Sequence, residues 1–230
     1  MNNIILAISA HPDDIEFACG GTMFKLKEKG NSIFLIVATN GENGFKIGHQ
    51  PRKKRIKIRH DEQLKSARLL GIKKVYFLNY RDGYLAYTDK LRDQIAKIIK
   101  QVKPDLVITF DPANCSFESI NLSHHDHRAI AEASFDAVFA ARNRYLLAGK
   151  PHAVKTFYFY GTSKPNHFEN ITEYIDNKID LIRTHRSQYH DEKSMKDWVK
   201  SHLSSYTKKF KYSEQFRVVE IKQPFKGKIK

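Results

Sequence analysis

Two short stretches hold the residue types from which a hydrolytic metal centre is built, Ala10-His11-Pro12-Asp13-Asp14-Ile15-Glu16 and Ser123-His124-His125-Asp126-His127. His11 and Asp14 stand three residues apart. Joined by a distant imidazole, such a pair can hold a divalent ion and leave a coordination position open for water. His127 is the candidate third ligand, and Pro12 stiffens the turn between the first two. Asp13 then faces the open side as the base that takes a proton from water. Zn²⁺ lowers the pKa of bound water to about 7, so a carboxylate is a sufficient base. His124 is a free imidazole across the site, suited to stabilising an oxyanion and protonating a departing amine. Asp126 can orient an imidazole and raise its pKa, whereas His125 is expected to point away.

These residues need a frame. The apolar run Ile4-Ile5-Leu6-Ala7-Ile8 reads as a buried strand over 4–10, followed by a helix over 15–29 that has a Gly20-Gly21 step and ends at Gly30. The first motif thus lies where a strand hands over to a helix, at the carboxyl end of the strand, where open α/β sheets bind ligands. Further strands are expected at 32–39, 75–78, 106–110, 156–160 and 216–221. Helices are expected at 59–70, 90–102, from Ser123 to Arg142, at 171–185 and at 195–208, with 45–55 basic and irregular between them. Strand and helix alternate at βαβ spacing through the first two-thirds of the chain. That pattern predicts an α/β fold with a mainly parallel, Rossmann-like sheet and helices on both faces.

The 230 residues suit one domain, 1–230, without repeats or a linker-like segment. No apolar run reaches the ~18 residues of a membrane span, and the N-terminus has no signal-peptide pattern, so a cytoplasmic location with no membrane partner is expected. Two cysteines, Cys19 and Cys115, cannot build a disulfide framework or a four-thiolate zinc site. The formal charge of +15 is spread along the chain, with peaks at Lys53-Lys54-Arg55 and in the tail 222–230. No nucleic-acid-binding signature accompanies it, so it is read as a solvated surface without a nucleic-acid partner.

Blander roles exist for each motif. Asp13 and Asp14 sit where a helix N-cap belongs, and Ser123 with Asp126 resembles a capping box. Three imidazoles and three acids on two βα turns of one sheet make a purely structural account strained. A dinucleotide site would put G-x-G-x-x-G where His11-Pro12-Asp13-Asp14 stands, and the P-loop pattern is absent. Two histidines and a carboxylate also match the facial triad of non-haem iron oxygenases.

The opening signature, continuing Ile15-Glu16-Phe17-Ala18-Cys19-Gly20-Gly21-Thr22, and the H-x-D-H run His124-His125-Asp126-His127 resemble the PIG-L, or LmbE-like, family of zinc-dependent deacetylases. The resemblance covers nearly the whole chain. It implies the LmbE-like fold, zinc on His11, Asp14 and His127, Asp13 as general base, and His124 as general acid or oxyanion stabiliser with Asp126 supporting the histidine. It further implies that Arg59 binds a sugar hydroxyl and that Asp82 contributes to substrate binding. An Arg59–Glu62 surface pair and a plain turn at Asp82 are the alternatives. His185-Arg186-Ser187-Gln188 is expected to cap or brace a helix. Ile15 after the second Asp resembles the branch of soluble thiol-cofactor and chitobiose-type deacetylases. The implied substrate is a small N-acetylglucosamine conjugate, with a non-sugar N-acyl amide as the alternative, and the implied assembly is a homo-oligomer, a trimer or hexamer.

Overall fold

A computed structural model describes residues 2–114 and 123–222. Cys115, most of the expected 112–122 loop and nearly all of the basic tail lie outside the described residues. In chain order the elements are β1 (Ile4–Ser9), α1 (Asp14–Glu28), β2 (Ser32–Thr39), α2 (Arg52–Leu70), β3 (Lys74–Tyr80), α3 (Asp89–Val102) and β4 (Leu106–Phe110). They continue with α4 (His125–Arg142), β5 (Thr156–Tyr160), β6 (His167–Asn170), α5 (Ile175–Arg183), α6 (Glu192–Ser204) and β7 (Ser213–Glu220).

One sheet runs in the order β3-β2-β1-β4-β5-β7-β6. Its first five strands are parallel, while β7 runs antiparallel to β5 and β6 antiparallel to β7. Parallel strands joined by right-handed crossovers have helices on both faces. Accordingly α1 packs with α2 and α5, while α3 packs with α4. The inner strands are therefore apolar without alternation: Ile5, Leu6, Ala7 and Ile8 of β1 and Leu35, Ile36 and Val37 of β2 are all buried. A satellite core of Ile171, Ile175, Ile179, Ile182, Met195, Val199 and Leu203 joins α5 to α6.

The strand order reverses at β1. The chain leaves β1 for β2 on one side and returns to its other side as β4. Such a switch point opens a crevice at the carboxyl ends of the two strands, and both motifs follow those ends.

Several boundaries differ from the sequence expectation. α2 begins at Arg52, inside the stretch expected to be irregular. Its first turns, Arg52-Lys53-Lys54, are exposed and carry no apolar periodicity, and Pro51 starts them without a side-chain cap. β6 was not expected; it is a four-residue polar edge strand. α6 starts three residues before the expected Met195, where the Asp191 side chain caps it by accepting the Ser194 N–H (2.6 Å).

α1 is broken at Cys19 (φ −143°, ψ 23°). The break strands carbonyls on one side and N–H groups on the other. Lys178 Nζ donates to the Glu16 and Phe17 carbonyls at 3.1 and 2.6 Å. Glu214 accepts the N–H groups of Gly21 (3.0 Å) and Thr22 (2.7 Å), and the two side chains pair at 2.6 Å. Both are fully buried. A Cβ on Gly21 would lie 2.8 Å from the Ile171 side chain, which explains the glycine there.

Candidate metal centre

The turn after β1 is built by Asp14. Its Oδ2 accepts the N–H groups of Ala10 (2.9 Å) and His11 (2.7 Å), folding the chain back on itself before α1 begins. Its Oδ1 faces His127 Nε2 at 3.3 Å. Asp13 stands at the N-cap position, yet its side chain makes no cap hydrogen bond, so the bland reading does not describe it. Its backbone sits at φ 110°, a region that costs a non-glycine residue about 1–3 kcal/mol.

His11 uses both ring nitrogens. Nδ1 lies 3.1 Å from His127 Nε2 and 3.6 Å from Asp14 Oδ2. Nε2 lies 3.1 Å from Asp126 Oδ2 and 3.2 Å from Asp82 Oδ1. His127, on the first turn of α4, is held from behind by the Phe110 ring, stacked at 4.0 Å between centroids. Its Nδ1 finds no hydrogen-bond partner among the described residues.

Two imidazole nitrogens and a carboxylate thus converge at 3.1, 3.3 and 3.6 Å. Tetrahedral Zn²⁺ with bonds of about 2.0–2.2 Å spaces its donors at about 3.3–3.6 Å, so the set fits a small divalent ion. His124 also lies in reach; the donor nitrogens of His11, His124 and His127 fall within 4.8 Å of one another, as do donor atoms of His11, Asp82 and Asp126. In the first, the His124 ring lies 4.9 Å from that of His11 and 5.2 Å from that of His127, between centroids. In the second, the two carboxylates address the far nitrogen of His11, the carboxylate–histidine–metal arrangement that fixes a ligand's tautomer and raises its basicity.

The electrostatics agree. Burial opposes charge on His11, but Asp14 foremost, with hydrogen bonds donated to Asp126, Asp14 and Asp82, raises its pKa well above the ordinary imidazole value. Burial would raise Asp14, but His127 and His11 hold it well below the usual carboxylate range. The cluster stabilises positive charge at its centre. Burial raises the Asp13 pKa, and neighbouring Asp14 raises it further, against the lowering effect of Arg59. His124 shifts the other way, pushed down by burial and by His11 and His127. Its Nδ1 accepts the Asp126 N–H at 3.2 Å, which leaves the proton of the neutral ring on Nε2.

Three residues sit differently from expectation. Asp126 supports His11 rather than His124, and it also accepts the N–H groups of Gly83 (2.7 Å) and Leu85 (3.0 Å), pinning the loop after β3. Asp82 is buried behind His11, where its other oxygen accepts the Asn43 N–H at 2.8 Å. Arg59 is 1% exposed and points inward: both terminal nitrogens lie 3.3 Å from Asp13 Oδ2, and Nη2 donates to the Pro12 carbonyl. Its surface pair with Glu62 does not form, because Glu62 accepts from the N–H and Oγ of Ser187 at 2.7 and 2.6 Å. The 185–188 segment braces α2 in this way, and Gln188 also donates to the Gly44 carbonyl. His125 is exposed.

Sequence reasoning missed Gln63 and Ser66, and it expected His185 only to cap or brace a helix; all three are buried around Glu16. The available signal was the spacing Arg59, Gln63, Ser66, which puts three polar side chains on the buried face of α2. Glu42, Asn43, Phe45, Gly48, His49, Gln50 and Arg55 line a cavity of about 160 Å³ that overlaps the 43–58 loop expected to form the outer pocket, and Asn43 connects it to Asp82.

The chain is similar to proteins of known activity and structure. The chain is 33% identical over 194 residues to a diacetylchitobiose deacetylase of Thermococcus kodakarensis, covering 82% of this chain and 71% of that protein. The solved N,N'-diacetylchitobiose deacetylase of Pyrococcus horikoshii, in complex with an inhibitor, superposes with a TM-score of 0.87 at 30% identity, covering 95% of this chain and 84% of the other. GalB of Pseudomonas putida, a 4-carboxy-2-hydroxymuconate hydratase, shares the fold at 18% identity with a TM-score of 0.78, covering 97% of this chain and 98% of that one. No helix among the described residues is long and apolar enough to cross a membrane. Residues 6–138, which carry both motifs, match the family model described as PIG-L, GlcNAc-PI de-N-acetylase, and the chain therefore belongs to the PIG-L family.

Proposed function

We propose that this chain is a zinc-dependent hydrolase that removes the N-acetyl group from an N-acetylglucosamine-type compound. The observation that carries the reading is the meeting of His11 Nδ1, His127 Nε2 and the Asp14 carboxylate, with Asp13 beside them and outside the donor set. Those three residues would hold Zn²⁺, which would supply Lewis acidity toward the amide carbonyl and the attacking water near neutral pH.

The chain's own residues do the rest. Asp13 takes the proton of the attacking water, its carboxylate directed by the Arg59 guanidinium and its basicity raised by burial. His124 donates an Nε2–H hydrogen bond to the carbonyl oxygen as charge develops there, and the proton that Asp13 has taken from water passes on to the departing nitrogen, so the oxyanion role and not the acid role falls to His124. Asp126 and Asp82 hold the His11 ring so that Nδ1 faces the centre. In this arrangement Arg59 and Asp82 act behind the reacting groups, and contact with the sugar falls to other residues. The relatives' names support an amino-sugar substrate. A cytoplasmic location and a trimeric or hexameric assembly rest on the sequence reading and are read by fractionation and by light scattering.

The test is acetate release from N-acetylglucosamine, its disaccharide and its glycosides, run beside simple N-acyl amines with the zinc-loaded enzyme. Turnover confined to the amino sugars supports the reading. Equal turnover of the non-sugar amides transfers it to a general amidase.

A further inference from the structure

Asp13 is gripped at two points, and the second has no assigned role. Arg59 holds its carboxylate. Its backbone N–H donates to Gln63 Oε1 at 3.1 Å. An amide side chain can present either end, and here the choice is forced. Gln63 Nε2 donates to Glu16 Oε1 at 2.7 Å, and Ser66 Oγ donates to the same oxygen at 2.5 Å. With the NH₂ end committed to a carboxylate, the carbonyl end must face Asp13. Glu16, Gln63 and Ser66 are all at most 1% exposed, so water cannot substitute for any of these contacts. Arg59, Gln63 and Ser66 share one face of α2. Apolar residues would pack that face at lower desolvation cost, yet the polar groups on it are spent on the turn that carries Asp13 and on Glu16.

We infer that Gln63 is a positioning residue for the reaction: oriented by Glu16, it holds the strained Asp13 peptide and thereby aims the carboxylate. The inference rests on Asp13 being the base. Small losses of aim have large kinetic consequences, since a misplacement of about 1 Å can cost about 100-fold.

The experiment compares Gln63→Leu, Glu16→Gln and the double exchange Glu16→Gln/Gln63→Glu, each assayed for kcat, KM, metal content and Tm, with Asp13→Asn in parallel. Gln63→Leu is expected to lower kcat about 10–100-fold while KM stays within about threefold and the metal is retained. Glu16→Gln frees the amide at position 63 to turn over, and kcat falls with it. In the double exchange donor and acceptor trade places, an acceptor still faces the Asp13 N–H, and kcat recovers above either single variant. A merely structural role would lower Tm without separating kcat from KM and without rescue. If Gln63→Leu does not fold, the Glu16→Gln single and the double exchange decide alone. The inference is overturned if Asp13→Asn is inactive while Gln63→Leu keeps kcat within twofold, or if the double exchange gives no recovery. If Asp13→Asn is itself fully active, the base assignment has failed instead.

Discussion

Replacing Asp126 by Asn tests how the centre is held together. Asp126 is 0% exposed, and its two oxygens take three donors: Oδ1 accepts the Leu85 N–H, while Oδ2 accepts the Gly83 N–H and faces His11 Nε2. Its pKa is lowered despite burial, by the His11 bond and the Gly83 N–H foremost, so the carboxylate is ionised. An Asn amide keeps the shape but has one acceptor. Its oxygen will stay with Gly83 and His11, leaving the Leu85 N–H facing an NH₂ group. One orphaned buried donor costs about 1–3 kcal/mol, equivalent to about 2–12 °C in Tm for a chain of this size. The loss of negative charge behind His11 weakens it as a ligand, and supporting carboxylates of this kind are worth about 10–100-fold in metal affinity. Asp126→Asn is therefore expected to bind Zn²⁺ 10–100-fold more weakly in a chelator competition, with Asp82→Asn showing a smaller loss because Asp126 remains. Unchanged metal affinity in a folded Asp126→Asn protein refutes the carboxylate–histidine support.

Asp13→Asn should retain about one metal ion per chain and lose about 10²–10⁴-fold in kcat, read by acetate release and metal analysis. Activity needs the ionised Asp13 carboxylate, so kcat/KM rises with pH through a pKa that burial, chiefly, has moved above the ordinary carboxylate value while Arg59 opposes the shift. Arg59→Met removes that opposition, and the acid limb of the pH profile moves to higher pH; an unmoved limb excludes the Arg59–Asp13 coupling. Lys178→Met leaves the Glu214 carboxylate buried without a counter-charge and should cost about 3–5 kcal/mol in denaturant unfolding. A loss below about 1 kcal/mol, the value typical of a surface pair, would show that the bridge across the α1 break is not closed in solution.

Much of the frame was legible because it rests on apolar runs. Ile4–Ile8, Ile33–Val37 and Leu106–Phe110 announce buried parallel strands, and the motifs at their ends place the chemistry at the switch point. What was not legible depends on direction, which one-dimensional spacing does not carry. Asp126 is one residue from both His125 and His127 and two from His124, yet it serves His11, more than a hundred residues away. Arg59 on a basic helix looks like a surface residue, since nothing local says that this face of α2 meets the Asp13 turn. The first turns of α2 and the strand β6 lack apolar periodicity altogether, so only tertiary pairing reveals them. Glu214 lies nearly two hundred residues beyond the Gly21 and Thr22 N–H groups it caps, beyond any local capping pattern.

The most direct measurement is metal content by elemental analysis of the purified wild type and of His11→Ala, Asp14→Ala, His127→Ala and His124→Ala. About one divalent ion per chain is expected in the wild type and in His124→Ala, with the ion lost from the other three. An ion retained in full by His127→Ala and Asp14→Ala, or a fully active enzyme that carries no metal, contradicts the account.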